Sequence, residues 1–193
     1  CTNTQGGVEG TTYAQPSRTV DPTVIATEVD DPLYVKGGNC PRGKKCRHSD
    51  ASRALYSSGV ASNRGDILKT TGANNGSLTV GGVFAVTSQD NTTKNFQIGR
   101  ILNKVGRTTG WSQGGVSRTC VNTNVSGSTV HQFCQTFVDA AVDGGDSGSP
   151  VFGITSGDNV ELVGILWGGG TNYFVMSPLA SIQQELGSVV ATR

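Results

Sequence analysis

The chain has little charge, few aromatic residues, one methionine and only two histidines, and each scarcity narrows what it can be. Asp, Glu, Lys and Arg together make up 15% of its 193 residues, against roughly 25% in an average globular protein. The signs nearly cancel to a formal net charge of +1, so no overall field points to nucleic acid or to a membrane surface as partner. No apolar run approaches the roughly 20 residues that span a bilayer. Leu-rich helical stretches are scarce, whereas the 28 glycines are about twice the usual share. With abundant Ser, Thr and Asn, this composition predicts an all-β chain of short strands and tight turns. Cys and His show no metal-ligand spacing, and no glycine-rich loop leads from strand to helix to cradle a phosphate. No metal or cofactor is therefore expected.

Five cysteines is an odd number. Cys40 and Cys46 bracket Pro41-Arg42-Gly43-Lys44-Lys45, and Cys120 and Cys134 bracket a polar, turn-rich stretch. Both spacings suit a local disulfide and an oxidising compartment. Cys1 is left over, either as a free thiol or as one whose partner lay upstream and was cut away; truncation is the preferred reading. Asn75, Asn91 and Asn124 each satisfy Asn-X-Ser/Thr, which also points to export.

Residues 1–45 read as loops with a few short strands. Ala51, Ala54, Leu55 and Tyr56 are expected core residues, and Leu78–Val86 precedes a polar linker at Thr87–Lys94. Strands are expected at Phe96–Val105, Val116–Val121, Val130–Val138, Val160–Trp167 and Tyr173–Met176, which are β-branched or aromatic and bounded by turn residues. Pro178-Leu179 opens the one convincing helix, with Leu179, Ile182, Leu186, Val189 and Val190 at three-to-four spacing.

The most informative segment is Gly145-Asp146-Ser147-Gly148-Ser149-Pro150, followed by the apolar Val151-Phe152. A serine that attacks a carbonyl needs an exposed Oγ and backbone N–H groups aimed at the developing oxyanion. Glycines on both sides let the backbone turn tightly enough to provide both. Upstream lies Val105-Gly106-Arg107-Thr108-Thr109-Gly110-Trp111, and downstream Gly164-Ile165-Leu166-Trp167-Gly168-Gly169-Gly170. On these three segments and the terminal helix, the chain resembles the trypsin/chymotrypsin-like serine proteases over about its last 150 residues.

The resemblance implies two antiparallel β-barrels, the first incomplete, with a C-terminal helix. Residues 1–90 would be the remnant of the N-terminal barrel and its linker, and residues 91–193 the second barrel with its helix. It implies Ser147 as nucleophile and the N–H groups of Gly145 and Ser147 as oxyanion hole. Asp146 would anchor the turn, paired with an N-terminal amine or another local donor. Asp50, in His48-Ser49-Asp50-Ala51, would be the carboxylate that orients the general base. It lies 97 residues before Ser147, close to the roughly 93 of the family template; Asp66, Asp30 and Asp31 look like loop residues. Ala141 would floor the substrate pocket, beside Trp167, Gly168 and Gly170, giving a preference for a bulky apolar or medium-sized uncharged P1 residue.

The base is the gap in this pattern. His48 stands two residues from Asp50, and His131 falls on the wrong side for the order His…Asp…Ser. The family places its histidine immediately before a cysteine, a position that would precede Cys1 and lie 50 residues from Asp50, close to the template's roughly 45. The implied function is a secreted serine endopeptidase acting on peptides or proteins, here an N-terminally truncated fragment with little activity. A non-catalytic homologue that serves as a binding module is the alternative.

Overall fold

The computed structural model describes residues 6–15 and 18–193; Cys1 and the readings attached to it lie outside the described residues. Twelve strands and one helix follow in order. The first six are β1 (Thr12–Tyr13), β2 (Ala26–Asp30), β3 (Lys45–Arg47), β4 (Arg53–Tyr56), β5 (Asp66–Thr70) and β6 (Val80–Gln89). The rest are β7 (Ile101–Gly106), β8 (Gly110–Asn124), β9 (Val130–Val138), β10 (Pro150–Ser156), β11 (Asn159–Gly170), β12 (Tyr173–Pro178) and α1 (Leu179–Leu186).

Strands β7, β8, β9, β12, β11 and β10 pair antiparallel in that order, and β10 pairs back onto β7, closing a six-stranded barrel. Closure leaves no edge within the ring. Two parallel pairings, β6 on β11 and β3 on β9, attach earlier segments to it; the other pairings outside the ring, β1–β2, β2–β4 and β5–β6, are antiparallel as expected from sequence. Period-two alternation separates two cores. Val151 and Val163 turn into the barrel with Leu102, Phe174 and Met176. Their neighbours Phe152 and Leu162 turn outward, where Phe84 and Val86 of β6 and Leu179, Ile182 and Leu186 of α1 cover them.

The amino-terminal part is more open. β1, β2 and β4 form a separate three-stranded sheet. Ala51 is buried as expected, but Ala54, Leu55 and Tyr56 are exposed, because among the described residues nothing covers either face of β4. The helix is also shorter than its periodicity implies. Gly187, at φ 75°, ends it after Leu186, so Val189 and Val190 lie beyond it and Val190 is exposed. Cys40–Cys46 and Cys120–Cys134 are both disulfides.

Candidate active site

Ser147 stands on the turn between β9 and β10, and the glycines of the motif explain its shape. Gly145 and Gly148 adopt φ of 100° and 90°, a region that side chains other than glycine rarely enter. Most N–H groups of the turn have acceptors. Gly144 donates to Asp143 Oδ1 (2.7 Å), Asp146 to the Asp143 carbonyl (3.1 Å), Gly148 to the Leu166 carbonyl (2.7 Å) and Ser149 to the Asp146 carbonyl (3.0 Å). Among the described residues the N–H groups of Gly145 and Ser147 donate to nothing. Ser147 itself is exposed, its Oγ 3.4 Å from the Trp167 carbonyl of β11.

Asp146 turns the other way, into the protein, and is fully buried. Its carboxylate accepts from Lys104 Nζ (3.0 Å), Thr109 Oγ1 (2.6 Å), and the N–H groups of Thr108 (2.9 Å), Thr109 (3.2 Å) and Asp143 (3.2 Å). Burial alone would raise its pKa. The bonds from Thr109, Thr108, Lys104 and Asp143 overcome that and hold it at about 2. Lys104, on β7, is equally buried and also donates to the Gly110 carbonyl (3.1 Å) and to Thr109 Oγ1. Its three donors are thereby satisfied. Burial lowers the Lys104 pKa, and Asp146 offsets this only in part. The segment Val105–Trp111 now has a physical meaning: Thr108 and Thr109 bind the carboxylate, and a methyl at Gly106 would overlap it.

Asp50 sits, half-buried, on a clamped loop between β3 and β4. Glu185 of α1 accepts from His48 N–H (2.6 Å), Ser49 N–H (3.0 Å) and Ser49 Oγ (2.6 Å). Arg47 is buried against Asp31 (2.8 Å) and donates to the Ala51 carbonyl (2.6 Å). Asp50 N–H donates to Ser177 Oγ (2.9 Å), which donates on to Gln135 Oε1 (2.9 Å). Gln135 Oε1 also accepts from Trp167 Nε1 (2.7 Å), while its Nε2 donates to the His48 (2.9 Å) and Phe133 (2.6 Å) carbonyls. One buried amide thus ties the Asp50 loop to β9, to β12 and to the strand whose Trp167 carbonyl meets Ser147.

The remaining candidates fall into place around this frame. Asp30 pairs with Arg53 (3.0 Å), Asp31 with Arg47, and Asp66 with Arg193 (2.5 Å), so each has a structural partner. His48 stacks on Phe133 with ring centroids 5.2 Å apart, and its Nδ1 is buried without a hydrogen bond. His131 meets Phe133 edge-on, with ring centroids 5.3 Å apart, and is bonded to Asn124 (3.0 Å). Beside Ser147 lies a groove of about 520 Å³ lined by Val142, Asp143, Gly144, Leu166 and the run Gly168–Thr171. Gly168 and Gly170 line it; Ala141, expected at its floor, is exposed and outside the lining, where its neighbour Val142 takes the place. Val142 packs against Gly169, at which a methyl would come within 2.5 Å of Val142 Cγ1. Trp167 also lies outside the lining: its carbonyl accepts from Ser147 Oγ (3.4 Å) and its Nε1 donates to Gln135 Oε1 (2.7 Å).

Sequence reasoning missed Lys104, Gln135, Ser177 and Glu185. A lysine inside a strand, two residues after inward-facing Leu102, was the available signal for the first.

No protein-family model matches this chain, and no curated protein matches it. Solved structures do. A glutamic acid-specific serine protease described as using a histidine triad in substrate binding is 18% identical, with TM-score 0.58, covering 95% of this chain and 82% of its own. A chymotrypsin from Cellulomonas bogoriensis is 18% identical, with TM-score 0.56, over 97% of this chain and 85% of its own. Protease A of Thermobifida fusca is 18% identical, with TM-score 0.55, over 88% and 80%. At such identity the likeness is one of fold, and that fold, mostly β with one short C-terminal helix, is the fold of the trypsin/chymotrypsin-like serine proteases.

Proposed function

We propose that the protein is a serine endopeptidase in which Ser147 is the nucleophile and the N–H groups of Gly145 and Ser147 form the oxyanion hole. The observation that carries this reading is the turn itself. Its backbone donors are spent on local acceptors except the two that flank the exposed Ser147 Oγ, and the carboxylate of Asp146 is sealed beneath it. In the reaction a general base takes the Ser147 proton as Oγ bonds to the scissile carbonyl carbon. The carbonyl π pair moves onto oxygen, where each hole donor is worth roughly 3 kcal/mol of barrier. Collapse of the tetrahedral adduct expels the amine, which takes the proton back from the base, and water then releases the acyl group by the same steps reversed.

Neither histidine serves as that base. His48 and His131 are engaged with Phe133 on β9, and His131 also with Asn124. The base in this reading is a group other than these two histidines, with Asp50 as the carboxylate that orients it. The 193-residue chain alone is therefore expected to cleave peptides poorly, and the full-length gene product to cleave them catalytically. If the full-length product is inert, a non-catalytic binding module takes the place of the peptidase. Two disulfides and the absence, among the described residues, of a helix long and apolar enough to cross a membrane accompany a proposal of export.

The groove beside Ser147 would take the P1 side chain. Its walls are Val142 and glycine backbone, and the carboxylate it contains, Asp143, has one oxygen committed to Gly144 N–H. An apolar or medium-sized uncharged P1 residue fits this lining. A side chain at Gly168 would meet open space, so Gly168→Val should fold and fill the groove. For the active protein, kcat/KM for a Leu or Phe P1 substrate should fall about 10- to 100-fold relative to Ala. An unchanged ratio, or a strong Arg/Lys preference before mutation, would contradict the assignment.

A further inference from the structure

The loop closed by Cys40–Cys46 has no part in the serine chemistry, yet it carries the densest charge in the molecule. Lys36, Arg42, Lys44 and Lys45 fall within ten residues, and no Asp or Glu occurs from residue 32 to residue 49. Together with Thr129 at the start of β9, they line a cavity of about 670 Å³ that contains no carboxylate. Lys45 Nζ lies over the Tyr34 ring, 4.6 Å from its centroid. Lys36, Arg42 and Lys44 take part in no ion pair among the described residues. In a protein of net charge +1, gathering these cations on one face gains the fold nothing, since like charges at close range repel.

The cations are also held in place. The disulfide, Cys40 N–H to the Gly37 carbonyl (3.0 Å), Lys44 N–H to the Pro41 carbonyl (3.0 Å) and Lys45 N–H to the Thr129 carbonyl (3.1 Å) fix the loop. Gly37, Gly38 and Gly43 face open space, so another backbone can approach closely there. A second cavity of about 510 Å³ adjoins, sharing Gly37 and Cys40 and adding the apolar surface of Val35 and Phe133. Val35 is 57% exposed.

We propose that this face is a docking site for an acidic polypeptide segment. Its carboxylates pair with Lys36, Arg42 and Lys44, and an adjoining apolar side chain rests on Val35 and Phe133. The cavity is far larger than a phosphate or sulfate ion requires. The apolar neighbour separates a peptide from a sulfated polysaccharide, which has no side chain to place there. His48 borders the apolar cavity two residues from Asp50, so a docked segment lies on the Asp50 side of the protein.

The test reads binding alone, on the 193-residue chain, so it does not depend on Ser147 or on the identity of the general base. A fluorescent peptide with five consecutive Asp or Glu residues followed by Leu is titrated and followed by anisotropy. The same peptide with Gln in place of the acids, and a heparin hexasaccharide, serve as comparators. The acidic peptide should bind, weaken several-fold as salt rises from about 0.05 to 0.3 M, and lose roughly tenfold or more in affinity in the Lys36→Gln/Arg42→Gln/Lys44→Gln variant. Val35→Ser should cost about threefold without changing the salt dependence. Should the triple variant misfold, Lys36→Gln and Lys44→Gln taken singly should each lower affinity. Equal binding of the Gln peptide, unchanged affinity in the cation variants, or binding of the hexasaccharide without the peptide would overturn the proposal.

Discussion

Lys104→Met should lower kcat/KM of the active protein by at least 100-fold and destabilise the fold by about 3–5 kcal/mol, the range for breaking one side of a buried ion pair. Lys104 and Asp146 are both wholly buried at 3.0 Å, so no water replaces the lost ammonium. The Thr109, Thr108 and Asp143 donors remain, but none carries charge. The Asp146 carboxyl must then ionise in a site that disfavours it, and the turn bearing Gly145 and Ser147 loses its anchor. Chemical unfolding gives the stability change, and hydrolysis of a chromogenic peptide gives the loss of rate. A variant within threefold of wild type in activity would show that the pair does not hold the turn.

The same pair makes a pH prediction with a defined sign. Asp146 has a folded pKa of about 2, below its ordinary 3.8. The folded state therefore binds its proton less readily than the unfolded chain does. The stabilisation, roughly 2 kcal/mol on the usual conversion, is fully present above pH 4 and is lost as pH falls toward 2. In Lys104→Met the folded pKa rises toward or past the unfolded value, so this pH-dependent stabilisation should shrink or disappear. An acid unfolding profile that the substitution leaves in place would refute this coupling.

Asp50→Asn should reduce kcat of the active protein by roughly 10³- to 10⁴-fold, the effect expected when an orienting carboxylate becomes an amide and presents the wrong hydrogen-bonding face to the base. Stability should change by less than about 1 kcal/mol. The reason lies in how the loop is held. Ser177 takes the Asp50 main-chain N–H, and Glu185 takes the N–H groups of His48 and Ser49. These bonds are made by main-chain N–H groups of the loop, which the substitution keeps. KM should change little. A decrease confined to KM, or a large loss of stability, would mean that Asp50 is structural.

How far the sequence revealed this arrangement follows from the range of each interaction. The turn at Ser147 was legible because its shape is local: glycines at positive φ must be glycines, and they fall beside the serine. Strand β11 was legible because its apolar residues alternate between two cores, and β9 and β12 because they are β-branched or aromatic runs bounded by turn residues. Leu55 and Tyr56 misled because apolar or aromatic character does not reveal whether a second layer exists to cover it; both are exposed, and no such layer covers them among the described residues. Val189 and Val190 kept helical spacing past a glycine that ends the helix. Lys104 and Asp146 are 42 residues apart, and Gln135 meets groups from three other segments. Neither contact has a local signature, because only barrel closure brings those strands together. Ala141 and Val142 differ by one register step on a loop with no period to fix it.

The most direct measurement is active-site labelling. The full-length gene product is treated with a fluorophosphonate, which reacts with a serine only when its Oγ is activated and an oxyanion hole is in place, and the adduct is mapped by peptide mass spectrometry. The account predicts one adduct per molecule, on Ser147, lost in Ser147→Ala and slowed in Asp50→Asn. Absence of an adduct on a folded chain, or an adduct on another residue, would contradict it.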